Sequence, residues 1–237
     1  VNLKVFADFD GTVSAVDVGN LLYRTLGDAE ACEAIVRSWK EEEISSRECL
    51  LRESATIPPL RDGDLDSFID AQSLDPGFEA LLTFCRGHGI ELTVVSDGLD
   101  CYIARIFRNA GVTGVRFFSN HLEFTDDRRF RITFPYSDEE CTYCANCKRN
   151  HLLTGSGEED VIVYIGDGKS DWCAARHADI IFAKRDLARY CTRERIPYHQ
   201  FTTLHDVVEQ LERIVARKRL RRRRQAELSR RAVFRQG

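Results

Sequence analysis

Three short apolar runs, each rich in β-branched residues and each closed by the same polar punctuation, constrain this chain more than any other feature. They read "LKVFADFDG", "IELTVVSDG" and "DVIVYIGDG". Near-continuous apolarity over such lengths predicts parallel strands covered on both faces. Helical patterns lie between them: "PGFEALLTFCRGHG" before the second run and "LDCYIARIFRNAGV" after it. The third run leads into "KSDWCAARHA" and then a further strand, "DIIFAK". This alternation implies an α/β fold with a Rossmann-like, doubly wound parallel sheet.

Residues 14–75 interrupt the alternation with 3.6-residue periodicity and no convincing strand. They predict a small helical insertion, leaving 1–13 and 76–215 as the α/β core. A smaller excursion, "RFFSNHLEFTDDRRFRITFPY", alternates like a β-hairpin. Residues 216–237 hold ten Lys/Arg and one Glu, about +9, against a net charge of -4 for all 237 residues. An acidic body with a basic tail argues against a nucleic-acid-binding domain. The tail is expected to be a frayed helix with a solvated basic face, with weak RNA or anionic-membrane attachment as the other reading.

The apolar fraction, 43%, is enough for a sizeable core. No apolar stretch approaches the roughly 20 residues that span a bilayer, and no signal-peptide pattern is visible. The nine cysteines are an odd number, and Cys32, Cys85, Cys101 and Cys173 sit in apolar runs. That usage fits a reducing cytoplasm. Nothing in the sequence chooses between a monomer and a homodimer.

All three strands end in related chemistry: Asp8-Phe9-Asp10-Gly11, Ser96-Asp97-Gly98, and Gly166-Asp167-Gly168 followed by Asp171. Ligands of open α/β sheets bind beyond the carboxyl ends of the strands. Those ends would gather Asp8, Asp10, Ser96, Asp167 and Asp171 into one crevice. Like charges so close need a hard cation, and oxygen donors of this kind suit Mg²⁺. An EF-hand reading fails because the sixth and twelfth loop positions are Val13 and Gly19. A Walker A reading of "GKS" fails because its first glycine would fall at Val163.

Asp8-x-Asp10-Gly11-Thr12, then Ser96, a downstream lysine, and Gly166-Asp167-Gly168-x-x-Asp171 resemble the four-motif signature of haloacid-dehalogenase (HAD) superfamily phosphatases. The helical insertion after the first motif resembles the C1-capped branch that includes phosphoserine phosphatase. "YIGDGKSDWCAARHADIIFAKRDLARYC" is similar to the methionine-salvage phosphatases that act on 2-hydroxy-3-keto-5-methylthiopentenyl-1-phosphate.

The resemblance implies a Mg²⁺-dependent phosphomonoester hydrolase acting on a small phosphorylated metabolite. Asp8 would be the nucleophile and Asp10 the general acid and base. Lys148 would neutralise the phosphoryl oxygens, with Lys169 as competitor. Thr12, Ser96, Asp97 and the backbone at Gly98 would line the phosphate site. Asp8, Asp167 and the Asp10 backbone carbonyl would ligate Mg²⁺, while Asp171 would ligate through water or orient the lysine. Asp17 is either a substrate contact or the N-cap of a helix. Arg47 and Arg52 could reach a substrate carboxylate. The resemblance implies the methionine-salvage enol phosphate as substrate, with phosphoserine or a phosphorylated amino alcohol as the nearest rival. Phosphotransfer to an alcohol and non-catalytic binding through the basic tail are the rival functions.

"CTYCANCKRNH" places Cys141, Cys144, Cys147 and His151 within eleven residues, the donor set of a structural Zn²⁺ site. Reduced thiols packing a loop beneath Lys148 and a labile disulfide are the other readings.

Overall fold

Five of the six residues of Val161–Gly166 are β-branched or aromatic, the sixth is glycine, and none is exposed, as expected of a strand at the centre of a sheet. The computed structural model describes residues 2–138, 141, 143–217 and 220–236. It contains one seven-stranded sheet in the order β4-β3-β2-β1-β5-β6-β7. In chain order the strands are β1 (Leu3–Ala7), β2 (Glu91–Leu99), β3 (Arg116–Phe124), β4 (Phe130–Thr133), β5 (Val161–Gly166), β6 (Ile180–Ala183) and β7 (His199–Gln200). All neighbours are parallel except β3 and β4.

The period of two distributes each strand between two apolar layers. Val5, Val94 and Val163 join one layer, whereas Phe6, Val95 and Tyr164 join the other. The first layer is completed by α5 (Phe78–Gly87), α6 (Asp100–Asn109) and α10 (Leu204–Val215). The second is completed by α7 (Lys148–Thr154), α8 (Trp172–His177) and α9 (Arg185–Arg193).

The segment after β1 is helical as expected, with α1 (Val18–Leu26), α2 (Ala29–Lys40), α3 (Ser46–Ala55) and α4 (Asp64–Asp70). Asp17, Asp28 and Ser45 each cap a helix by accepting a backbone N–H three residues on. Together with the sheet, these helices give the α/β core and small helical cap that the sequence implied.

Two features differ from expectation. The predicted hairpin is real, with Leu122 opposite Ile132, but β3 also pairs in parallel with β2. The excursion therefore extends the main sheet. The basic tail is not a solvated helix end. Within it Lys218, Arg219 and Gly237 lie outside the described residues, and α11 (Arg224–Gln236) docks on α8. Arg230 pairs with Asp179 at 3.1 Å, and Arg223 donates to the backbone carbonyls of Ala175, Arg176 and Ala178. Asp179 is a buried carboxylate that also accepts the Ile162 N–H, so two tail arginines compensate a charge and the orphan carbonyls of a helix end.

Candidate active site

The turn at Phe9–Val13 follows β1 directly, and the Asp8 N–H still donates to Ile165 on β5 at 2.9 Å. Asp8 is thereby fixed beside the end of β5. Gly11 has φ +74°, and a Cβ there would lie 2.7 Å from Asp167 Oδ2. Only glycine lets the first turn approach the third strand end this closely.

A carboxylate oxygen from each of Asp8, Asp167 and Asp171 lies within 4.8 Å of the others. Lys148, 1% exposed, enters this group from the start of α7. Its Nζ donates to Asp8 Oδ1 at 2.5 Å, Asp171 Oδ1 at 2.6 Å and Ser170 Oγ at 3.0 Å. Three ammonium protons thus meet three acceptors. Burial alone disfavours the ammonium charge, but Asp171 and Asp8 outweigh it and hold Lys148 firmly protonated.

Asp171 is saturated. Its Oδ1 accepts from Lys148 and Tyr164, and its Oδ2 from the Asp167 and Gly168 N–H groups. It orients the lysine and the loop, and offers no free oxygen for direct ligation. Asp167 meets Arg185 Nη1 at 2.9 Å through Oδ2, leaving Oδ1. Asp8 likewise keeps Oδ2. Burial raises the pKa of Asp8 well above the usual range, opposed by Lys148 and reinforced by Asp171 and Asp167. Burial, then Asp171 and Asp17, push Asp167 up to about 7. Two desolvated carboxylates that repel each other, each with an oxygen to spare, fit a hard divalent cation.

Asp10 belongs to a separate network. Its carboxylate accepts from the Gly19 N–H, from Ser96 Oγ at 2.9 Å and from Tyr102 Oη at 2.9 Å. A Cβ at residue 98 would lie 1.7 Å from Tyr102 Oη and 2.5 Å from Asp10 Oδ2, so Gly98 is required for this close assembly. Burial, followed by repulsion from Asp17, raises Asp10 to about 6.

Other sequence expectations divide. Ser96 is fully buried and its hydroxyl is spent on Asp10 and the Gly98 N–H. Thr12 is also fully buried, does not line the cavity, and its Oγ1 has no hydrogen-bond partner among the described residues. Asp97 and Gly98 do line it. Burial raises Asp97 to about 6, opposed by Lys148. Asp17 caps α1 through the Asn20 N–H and also lines the cavity.

Lys169 is not in the carboxylate group. Its Nζ donates to the Trp39 and Lys40 carbonyls at the end of α2, at 3.0 and 2.9 Å, joining core to cap. Arg47 lies over the Phe134 ring and Arg52 pairs with Glu48, and neither lines the cavity.

His151 does not join the thiols. It follows Lys148 by three residues on α7 and stacks on Phe118, with centroids 4.4 Å apart, while Nε2 bonds Asn146 Oδ1 at 2.6 Å. The Cys141, Cys144 and Cys147 sulfurs do cluster within 4.8 Å. Sequence reasoning missed Tyr102, Tyr164, Arg185 and Asn146. Asn146 ties the loop to the second strand end through Ser96 O at 2.8 Å. Tyr164, Arg185 and Asn146 lie within motif-bearing stretches but outside their defining positions, and the positive φ of Arg185, 48°, is invisible in sequence.

The cavity in front of Asp8 measures about 310 Å³. Its floor is Asp8, Asp10 and Asp167, and its cap wall includes Tyr23, Trp39 and Glu53. Glu53 is 4% exposed. Its Oε2 accepts the Cys49 thiol at 3.5 Å, and its Oε1 has no partner among the described residues. Tyr23 Oη is likewise buried without a partner. Burial raises Glu53 to about 7, countered by the Cys49 hydrogen bond and reinforced by Asp17.

Comparison with known proteins agrees with this geometry. The 2-hydroxy-3-keto-5-methylthiopentenyl-1-phosphate phosphatase of Exiguobacterium sibiricum is 28% identical over 215 residues, covering 90% of this chain and 97% of that protein. The polyol phosphate phosphatase PYP1 of Saccharomyces cerevisiae is 27% identical over 229 residues, covering 91% and 95%. A phosphoserine phosphatase solved as a phospho-aspartyl intermediate analogue superposes with a TM-score of 0.70 at 18% identity, covering 89% of this chain and 99% of that one. The "Putative Phosphatase" family profile matches residues 3–212. The chain belongs to that family and is a phosphatase with the HAD-type α/β fold.

Proposed function

We propose that the chain hydrolyses a small phosphorylated metabolite through an aspartyl-phosphate on Asp8, and that its substrate is the methionine-salvage enol phosphate. The observation that carries the reading is the division of labour between two adjacent carboxylates. Asp8 lines the cavity with one oxygen held by the buried Lys148 and the other without a protein hydrogen bond among the described residues. Asp10 is locked by Ser96, Tyr102 and the Gly19 N–H, with a pKa of about 6. A nucleophile needs the first environment and a proton carrier near neutral pH needs the second.

Asp8 would attack phosphorus while Asp10 protonates the departing alkoxide. Asp10 would then take a proton from the water that releases phosphate. Lys148 would balance the charge on the transferring group, whereas the Gly98 N–H, held by Ser96 Oγ at 2.8 Å, is not free to donate to its oxygens. Ser96 acts through Asp10 in this scheme. Asp8, Asp167 and the Asp10 carbonyl would hold Mg²⁺, which when bound supplies charge neutralisation for the carboxylates and the phosphoryl oxygens. The nine unpaired cysteines support a cytoplasmic setting.

Substrate choice rests on the cap wall. Val36, Trp39 and Leu50 offer apolar surface, while Glu53, Tyr23 and Asn20 add polar side chains to the lining. A thioether tail beside a hydroxyl and a ketone matches that mixture. Phosphoserine would need a partner for its carboxylate, and Arg47 and Arg52 do not face the cavity. Arg185 and Lys169 do but are held by Asp167 and the α2 carbonyls, which leaves Lys40 as the cation for that role. A polyol phosphate, the activity named for the yeast relative, would leave several hydroxyls against apolar wall. Measuring kcat/KM with Mg²⁺ for the three phosphoesters tests this. The enol phosphate is expected to exceed phosphoserine by about 100-fold, a difference of one well-paired polar group plus apolar burial. Equal or reversed ranking overturns the substrate assignment.

A further inference from the structure

The cysteines before α7 form a second cluster, separate from the carboxylates. Cys141, Cys144 and Cys147 bring their sulfurs within 4.8 Å of one another, and Cys173, the second residue of α8, places its sulfur 3.9 Å from Cys144. Cys144 and Cys147 are buried and Cys141 and Cys173 half-buried, and all four are free of disulfides.

We propose that Cys141, Cys144, Cys147 and Cys173 form a four-thiolate structural Zn²⁺ site. Zn–S bonds of about 2.3 Å in a tetrahedron set neighbouring sulfurs about 3.8 Å apart, close to the separation of Cys144 and Cys173. Cys173 lies beyond 4.8 Å from at least one of the other two sulfurs and would close onto the ion. The short C-x2-C-x2-C run alone offered too compressed a ligand set. The fold resolves this by delivering the fourth sulfur from a distant helix. Arg149 lies within electrostatic reach of Cys147, Cys141 and Cys173 and offsets part of the excess negative charge. A four-iron cluster, which shares this spacing, needs its sulfurs spread around four metal atoms rather than drawn in toward one.

The site has a structural consequence. Cys147 immediately precedes Lys148, and Cys173 follows Asp171 by two residues. One ion would tie the start of α7 to the start of α8 and hold the two ends of the Lys148–Asp171 pair in place. Zn²⁺ here is a positioning element and touches no substrate.

The test uses the full chain, expressed with zinc available and purified under reducing conditions without chelator. Elemental analysis should find about one zinc per chain, and X-ray absorption should show four sulfurs at about 2.3 Å. Cys173→Ser should lower zinc below about 0.2 per chain, whereas His151→Gln should retain it. Zinc below about 0.2 in the wild type, three sulfurs with one nitrogen, iron with visible absorption, or a disulfide between any two of the four overturns the proposal. If Cys173→Ser fails to fold, the wild-type absorption spectrum still decides.

Discussion

The strand ends and the cap wall face each other across one cavity, yet they treat their polar atoms in opposite ways. At the strand ends Asp10, Lys148 and Asp171 are saturated with short hydrogen bonds from rigid backbone and buried side chains. On the cap wall Glu53 Oε1 and Tyr23 Oη are buried without partners. An unpaired buried polar atom costs about 1–3 kcal/mol, so the cap wall carries a cost that the strand-end network of Asp10, Lys148 and Asp171 avoids.

The largest expected effect tests the core side. Asp8→Asn should lower kcat about 10⁴-fold or more with folding unchanged by circular dichroism. Retention of more than about a hundredth of wild-type rate would remove the nucleophile assignment.

Lys148→Met should lower kcat/KM about 10²- to 10³-fold, the range for losing one oxyanion-stabilising group. It should also destabilise the fold by about 3–5 kcal/mol in denaturant titration, because Asp8 and Asp171 lose their buried counter-charge. A variant as stable as wild type would show that the strand ends are less tightly wired than the geometry implies.

Glu53→Gln tests the cap side. KM should rise about 10-fold with kcat changed less than about 3-fold, as for lost uniform binding. Stability should respond differently with pH. The folded pKa of Glu53, about 7, exceeds its ordinary value of 4.5, so the native state binds the proton more tightly than the unfolded chain. Stability from this group is full below about 4.5, falls as pH rises toward about 7, and then levels off, a loss of about 3 kcal/mol. Glu53→Gln should abolish that slope. An unchanged slope would mean that Glu53 is not desolvated.

The smallest effect is expected from Arg52→Ala. Among the described residues Arg52 pairs with Glu48 alone, on the exposed face of α3, so stability should change by less than about 0.5 kcal/mol and KM not at all. A raised KM would bring a cap arginine back into substrate recognition.

Much of the catalytic end was readable in sequence because strand ends deliver consecutive residues to one rim. Asp8, Asp10, Asp167 and Asp171 each sit at or just beyond a strand whose apolar run marks where it stops. Lys148 was separable from Lys169 only by context, and the fold sends Lys169 to the α2 carbonyls. What was hidden depends on distant packing. Tyr164 reads as core within "VIVYIG" yet its hydroxyl reaches Asp171, and Tyr102 on α6 reads as a helix aromatic yet holds Asp10. Cys173 reads as a small apolar residue because its neighbours are some thirty positions away. The basic tail reads as solvated because Asp179, its buried counter-charge, belongs to a different element.

The account turns on a covalent phosphoryl group carried by Asp8. Rapid acid quench of the wild-type enzyme during Mg²⁺-supported turnover, followed by peptide mass mapping, measures this directly. The peptide spanning Leu3–Val13 should gain one phosphoryl group on Asp8, and the Asp8→Asn protein should gain none. Continued turnover with no modified peptide, or with the group on another residue, would contradict it.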